Sequence, residues 1–503
     1  MMDQKYILAI DQGTSSTKSI IFDQSGNPVA KGHVDLNTQF IDGGLVEQDP
    51  FEIYQNVLAS VKNCLDDYQS KGLNIIDVVS VGISNQRETF VVWDETGKPL
   101  HNAVVWQCKR SVAVCERLKS EGLNDEVKQR TGLIIDPYFS ATKLIWLYEN
   151  NLNIHTAIDE GRAYFGTVDT WLLFKLSKGT RYLTDHTNAS RTMFFNLKTL
   201  QWDKYLLDAF NLSKLNLPEV CSSSFNFGSS DFEGLFKVEI PINTMIGDSH
   251  AAAFGEQCFE KGQAKATLGT GCSILMNAGA DVPDGGEGVI TTICWSTTSL
   301  INYALEGVIV SCGSTIEWLR RELGLFSEVM QTQDMARAVP DNNGVYIIPA
   351  FSGLGAPYWD MNRKAEIQGL TFSCNKNHIV RAGLESVAYQ IRAVIDVMKD
   401  AGQLDLQGLI VNGGIINNQF VLECLTNLLN RPLTYGITDA SGLGAAYLAG
   451  LQAGIFKDLN DIIRIAKHRS TMMPVSELKI EKNYRTWEMY VKLGSSRQIV
   501  STT

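Results

Sequence analysis

A strand–bend–strand unit occurs twice in this chain, and its recurrence limits the architectures open to it. Near the start, the apolar run Tyr6–Ile10 leads into Asp11-Gln12-Gly13-Thr14-Ser15-Ser16-Thr17-Lys18 and a second strand-like run, Ser19–Phe22, before a turn at Asp23–Gly26. Past the midpoint, Lys265–Asn277 (KATLGTGCSILMN) repeats the design with Gly-Thr-Gly at the bend. Glycine and hydroxyl residues between two apolar runs are the chemistry of a hairpin turn. A chain of 503 residues is too long for one ordinary core. Two such hairpins therefore point to a duplicated architecture, divided near residue 252 into 1–252 and 253–503.

Between the hairpins, strand-like and helix-like segments alternate, which marks an α/β protein. After Asp49 the pattern predicts a helix: Asp49 as N-cap, Pro50 at the first position, Glu52 closing a capping box, and Tyr54, Val57, Leu58, Val61 and Leu65 on one face. Val78–Ile83 and Phe90–Trp93 read as strands, and residues 166–176 and 242–256 as strand or helix, each carrying an Asp. Further on come a strand at Val345–Pro349 and a long helix over His378–Lys399 that can end at Gly402. Leu409–Val411 then runs into Asn412-Gly413-Gly414 and a helix starting near Asn417. A strand leading through glycines to a helix N-terminus suits an anion.

Composition removes several function classes. With 44% hydrophobic and 20% charged residues the chain is neither disordered nor fibrous. Its 44 Lys and Arg against 55 Asp and Glu give a net charge of -11, which argues against nucleic-acid binding through bulk positive charge. No apolar run approaches the roughly 18–20 residues of a membrane span, and the opening MMDQKYILAIDQ is too short in apolar residues for a signal peptide, so no membrane insertion and a cytoplasmic location are expected. The ten cysteines form no C-x-x-C pair, which argues against a disulfide framework or a structural zinc site.

Some residues carry possible chemistry. In the first bend Gly13 permits close backbone approach, while Thr14, Ser15, Ser16 and Lys18 supply the donors and charge that a polyphosphate needs; the same residues also make an ordinary Ser/Thr-rich turn. Asp11 could organise Mg²⁺ or close an Asx-turn. Asp248, just before His250-Ala251-Ala252-Ala253, could be a helix N-cap or a general base for an alcohol. Arg87 and Glu88 would point to opposite faces of a regular strand, so both line one pocket only if the backbone near Gln86 bends; otherwise they are a solvated pair. Trp106 and Tyr138 suit either a core or the carbon side of a small substrate. His250 has no second His at ligand spacing.

Taken together, the segments resemble the glycerol branch of the FGGY carbohydrate kinase family, within the broader fold shared by sugar kinases, actin and heat-shock ATPases. The carriers are AIDQGTSSTK (9–18), SNQRETFVVW (84–93), NAVVWQCKR (102–110), TGLIIDPYFSATK (131–143), FGTVDTWLLFKL (165–176) and TDHTNASRTMFFN (184–196), followed by LGTGCSILMN (268–277), NYALEGVIV (302–310), PAFSGLGAPYWD (349–360) and LGAAYLAG (443–450). The resemblance implies two duplicated actin-like (ribonuclease H-like) domains closing over a cleft, and ATP-dependent phosphorylation of glycerol to sn-glycerol 3-phosphate. It implies Asp248 as catalytic base, Asp11 beside Mg²⁺, and Arg87, Glu88, Trp106, Tyr138, Asp248 and Ser249 around the alcohol. Around ATP it implies Thr14, Ser15, Ser16, Lys18, Thr270, Gly313, Glu317, Gly414 and Asn418. A homodimer or homotetramer is the family's usual assembly.

The chain departs from the family's pattern in several places. Lys18 replaces a usual Arg, Glu317 a usual Gln, and Asn412 a usual Asp; Gly247-Asp248-Ser249-His250 replaces Gly-Asp-Gln-Gln. The shorter Ser249 is expected to open space for a larger polyol or ketose such as erythritol, threitol or dihydroxyacetone. Where relatives bind fructose 1,6-bisphosphate through an Arg, this chain has Glu239, and the loop phosphorylated on His in some relatives has no His, so neither control is expected. An ATP-driven conformational protein of the same fold would need a further domain, which is not expected after about residue 495. An inactive homologue is disfavoured by the presence of Asp11 and Asp248.

Overall fold

The computed structural model describes residues 5–465, 469–475 and 478–500. Its centre is a pair of mixed sheets with the same topology. In the first, Tyr6–Gln12 runs antiparallel to Ser16–Phe22 and parallel to Val78–Asn85, which is in turn parallel to Ile240–Gly247; Pro28–Asp35 and Ser224–Ser230 form the edges of this six-stranded sheet. In the second, Gln263–Leu268 runs antiparallel to Cys272–Gly279 and parallel to Gly408–Asn412, itself parallel to Leu433–Tyr435, within seven strands. The two hairpins expected from the sequence thus occupy equivalent positions. Strands flanked by helices on both faces read as continuous apolar runs, and Ile7 to Ile10 and Ile20 to Phe22 are buried accordingly.

Several expected elements are refined. The helix after Asp49 spans Pro50–Ser70, and the Asp49 carboxylate accepts from the amide of Phe51. Glu52 does not close a capping box. Its carboxylate instead accepts from the main-chain and side-chain nitrogens of Asn37 at 3.0 and 2.7 Å, tying the helix start to the segment after Pro28–Asp35. The two ambiguous Asp-bearing segments each split: Tyr164–Thr167 is a strand and Val168–Leu176 a helix, while Ile240–Gly247 is a strand and Asp248–Gly255 a helix. The long helix runs over Lys376–Gly402.

Two helices join the halves by exchange. Asp248–Gly255 leaves the first sheet and packs on the second, whereas Ala440–Gln452 belongs to the second half and packs on strands of the first. Their mutual contact is so close that a Cβ on Gly444 would lie 1.8 Å from the Ala251 carbonyl oxygen, and one on Gly255 2.3 Å from that of Ala440. Glycine at both positions is what lets the backbones meet. Around this crossing Ile7, Phe22, Ala251, Phe254, Trp295, Ala445 and Leu448 form one buried cluster spanning both halves. The crossing helix therefore delivers Asp248, its first residue, to the junction of the two sheets.

Candidate active site

Strand register brings the first group of residues together. Asp11, Ser84 and Ile246 lie side by side on three parallel strands, followed by Gln12, Asn85 and Gly247. The segments after this row all leave the same edge: the Gly13–Ser15 bend, the turn at 86–89, and Asp248. Ligands in α/β folds gather outside the carboxyl ends of parallel strands. Asp11 makes no Asx-turn; its carboxylate accepts from the Ser84 hydroxyl at 3.1 Å. Burial first, and then the charge of Asp248, push the Asp11 carboxyl up to about 6, so the two carboxylates repel each other across this edge.

The backbone bends where both Arg87 and Glu88 could face one pocket. The strand ends at Asn85, Glu88 has φ +61°, and the amide of Thr89 donates to the carbonyl of Arg87 at 2.7 Å. Both side chains are buried, so they are not a solvated pair. The two terminal nitrogens of Arg87 donate to Glu306 at 2.8 and 3.1 Å, and its Nε lies 3.3 Å from Asp248 Oδ1. Glu88 accepts from Arg191 Nε at 2.6 Å; burial pushes its carboxyl up, against the pull of Arg191 and Arg87. Arg191 also reaches Glu306 at 2.6 Å. Glu306 is fully buried, and although burial opposes its ionisation, the two guanidiniums hold its carboxyl well below the usual range.

Trp106 and Tyr138 meet edge to face with ring centroids 5.5 Å apart, and the Arg191 guanidinium stands 5.8 Å above the Tyr138 ring. Trp106 Nε1 donates to the Thr14 hydroxyl at 2.9 Å, joining this aromatic pair to the first bend. In that bend the Gly13 amide donates to the Ser16 carbonyl at 2.9 Å, while Ser15 and Lys18 are exposed and Ser16 is half-buried. Lys18 stands opposite Asp11 on the paired strand.

Asp248 begins its helix rather than capping it; Gly247 is the cap, and the Asp248 carboxylate accepts from the amide of Ser249 at 2.6 Å. Its side chain is 38% exposed, far more open than Arg87 and Glu306 beside it, at 5% and 0%. Around Ser249 the expected free space is taken by protein groups. The Ser249 hydroxyl accepts from Lys265 Nζ at 2.6 Å and lies 3.0 Å from the Ser273 hydroxyl, which donates to Glu306 at 3.2 Å. Lys265 is wholly buried, and burial pushes its ammonium down.

The second bend builds the other side. The Thr270 carbonyl accepts from the amides of Cys312 and Ser314 at 2.9 and 3.1 Å, and the Gly313 amide donates to Gly269 at 2.9 Å. This locks the bend onto the start of the helix Gly313–Arg321, and a Cβ on Gly313 would sit 2.6 Å from the Gly269 carbonyl oxygen. Glu317 is engaged along its own helix by Arg320 and Arg321, which hold its carboxyl down to about 2. The expected helix near Asn417 starts at Gln419 instead, after a short 3₁₀ turn over Gly414–Asn417. Asn418 caps it, accepting from the Val421 amide at 3.2 Å, and Gln333 accepts from the Gln419 amide at 2.8 Å, so these donors are already satisfied. Nothing stands within 4 Å of a Cβ placed on Gly414, which leaves the backbone approachable there.

The sequence reading missed Glu306, Arg191 and Lys265. The signal for each is a lone charge inside an apolar segment: YALEGVI, ASRTMFF and QAKATL. Unpaired charges are almost never fully buried, so each foretold a partner from elsewhere in the fold. Among the described residues no three His, Cys, Asp or Glu side chains converge to hold a metal on their own, and no helix is long and apolar enough to cross a membrane.

Two sheets of one topology, joined by exchanged helices and with carboxylates at their junction, define a two-domain kinase fold. Residues 6–255 match the N-terminal domain, and residues 264–453 the C-terminal domain, of the FGGY family of carbohydrate kinases, and the chain belongs to that family. Within it, the chain is 41% identical over 494 residues to a glycerol kinase of Alkaliphilus metalliredigens, covering 97% of this chain and 98% of the relative. It is 43% identical over 491 residues to that of Shewanella pealeana, covering 97% and 99%. The crystal structure of Plasmodium falciparum glycerol kinase with ADP superposes with a TM-score of 0.92 at 34% identity, over 98% of each chain. A gluconate kinase from Lactobacillus acidophilus, 21% identical, shares the fold with a TM-score of 0.87 over 98% of each chain.

Proposed function

We propose that this chain transfers the terminal phosphoryl group of ATP to a hydroxyl of glycerol, giving sn-glycerol 3-phosphate and ADP. The observation that carries the reading is the placement of Asp248: a part-exposed carboxylate at the junction of the two sheets, beside the buried Arg87 and facing the edge that bears Asp11. A carboxylate within reach of a hydroxyl can take its proton as the phosphoryl group arrives, while positioning and electrostatics supply most of the acceleration. Arg87 and Glu88 offer the polyol a donor and an acceptor, and Trp106 and Tyr138 pack on its carbon side. Residues 1–252 form the polyol half and 253–503 the half that holds most of the nucleotide. Thr14, Ser15, Ser16 and Lys18 face the phosphates from one side; Thr270, Gly313, Glu317, Gly414 and Asn418 line the other.

The carboxylates also suit Mg²⁺, a hard cation that prefers carboxylate and phosphate oxygens. The raised Asp11 carboxyl is the sign of fit, because a cation would relieve its repulsion with Asp248. Asp11 would hold the ion, which would neutralise phosphate charge when bound and leave Asp248 free as the base. The test is direct: purified protein, ATP and Mg²⁺, with ADP release and the phosphorylated product followed with and without glycerol. Glycerol-dependent ADP release and glycerol 3-phosphate are expected. ADP release indifferent to any polyol would instead favour an ATP-driven conformational protein.

A further inference from the structure

We infer that Glu306 is a positioning residue of the polyol site, supplied by the second half of the chain to hold Arg87 and, through Arg191, Glu88 in place. This rests on the polyol-kinase reading above. Glu306 projects from the strand Ile301–Ile309 of the second sheet, while Arg87, Glu88 and Arg191 all come from the first half. Its two oxygens accept from both terminal nitrogens of Arg87 at 2.8 and 3.1 Å and from the Ser273 hydroxyl at 3.2 Å, and one terminal nitrogen of Arg191 forms an ion pair with it at 2.6 Å. Arg191 passes the constraint on, since its Nε is hydrogen-bonded to Glu88 at 2.6 Å. Each side chain proposed to recognise the polyol's oxygens therefore ends, directly or through one guanidinium, at Glu306.

The geometry also separates Glu306 from the substrate. It is fully buried, and its oxygens are occupied, so it acts through the arginines. Anchoring both terminal nitrogens of Arg87 on Glu306 fixes the guanidinium with its Nε toward Asp248, at 3.3 Å. A planar guanidinium held by a bidentate carboxylate has one orientation. Without Glu306, Arg87 keeps its charge but loses that fork. Its nearest remaining carboxylates are then Asp248 and Glu88, the groups that the substrate needs free. A buried charge whose partner is removed seeks another, and here the replacement partner is the proposed base.

The experiment compares Glu306→Gln and Glu306→Asp with the wild type on whichever polyol the wild type phosphorylates, measuring kcat, KM for the polyol, KM for ATP, and ADP affinity by calorimetry. Loss of one charged hydrogen-bonding anchor predicts a polyol KM raised about 10- to 100-fold in Glu306→Gln. ADP affinity and KM for ATP should stay within about threefold, and Glu306→Asp should recover part of the loss because it restores the charge. A folded Glu306→Gln protein with unchanged polyol KM overturns the inference, as does a parallel fall in polyol and ADP affinity or an Asp variant no better than Gln. Should Glu306→Gln not fold, Glu306→Asp decides: a raised polyol KM with ADP affinity held supports the assignment, and an unchanged polyol KM overturns it. A wild type inert on every polyol sinks the kinase reading, and this inference with it.

Discussion

Replacing Asp11 by Asn should stabilise the ligand-free protein while removing activity. The Asp11 carboxyl is pushed from 3.8 up to about 6, a difference of roughly 2 units, by burial and by the neighbouring charge of Asp248. At about 1.4 kcal/mol per unit, the ionised form works against the fold by about 3 kcal/mol above pH 6. The sign follows from proton binding. The folded state holds this proton more tightly than the unfolded chain, so the favourable contribution is fully present below 3.8 and is lost as pH rises through about 6. Asn cannot ionise, yet it keeps an oxygen for the Ser84 hydroxyl. The variant should therefore gain about 1–3 kcal/mol over wild type at pH 8 without metal, and about half as much at pH 5. Thermal scans at both values read this as a shift of roughly 1–3 °C at pH 8 for a chain of 503 residues. Adding Mg²⁺ and nucleotide should raise the wild type more than the variant. Equal stability at pH 8, or a gap that widens on acidification, would refute the reasoning.

Three further outcomes are expected. Asp248→Asn should bind ADP as the wild type does while turnover falls about 10²- to 10⁴-fold, the usual worth of a general base; retained turnover in a steady-state assay would remove that role from Asp248. Substrate range is open to comparison across glycerol, erythritol, threitol and dihydroxyacetone. Because Lys265 and Ser273 already occupy the Ser249 hydroxyl, glycerol should be used in preference to the longer polyols; a wild type with a higher kcat/KM on erythritol or threitol than on glycerol would contradict this and restore the larger-substrate idea. Fructose 1,6-bisphosphate should not inhibit, since Glu239, bonded to the Ser229 hydroxyl, and Glu233, 2.9 Å from the Tyr54 hydroxyl, set carboxylates in the loop where a phosphate would need a cation; millimolar inhibition of the purified enzyme would contradict this.

Much of this arrangement was legible in the sequence because it is local. Hairpin bends announce themselves through glycine and hydroxyl residues, and the duplication follows from finding two. The turn that brings Arg87 and Glu88 inward was foreseeable too, since adjacent strand residues cannot otherwise share a face. Local rules failed where tertiary partners competed. Glu52 has the spacing of a capping box, but the nitrogens of Asn37 reach its carboxylate first. Asn412-Gly413-Gly414 looks like a strand feeding a phosphate-binding helix, but a 3₁₀ turn intervenes and Asn418 and Gln333 satisfy donors at the helix start.

The network behind Asp248 was hidden for a different reason. Its members, Arg87, Arg191, Lys265 and Glu306, are spread over more than two hundred residues and meet only because two helices exchange between the sheets. A single buried charge in an apolar strand states that a partner exists without saying where, and pairing is decided by sheet topology. The same topology explains why Asp248 stays open when its neighbours are closed. Arg87 and Arg191 both pair with Glu306 across the two halves, Arg191 also holds Glu88, and together these four pack the floor of the site. Asp248, first on the crossing helix, stands at the rim with Arg87 Nε on one side and a repelling carboxylate, Asp11, on the other. A base suited to accept a proton needs that combination: fixed in direction, reachable by solvent and substrate, and not already neutralised by a bidentate partner.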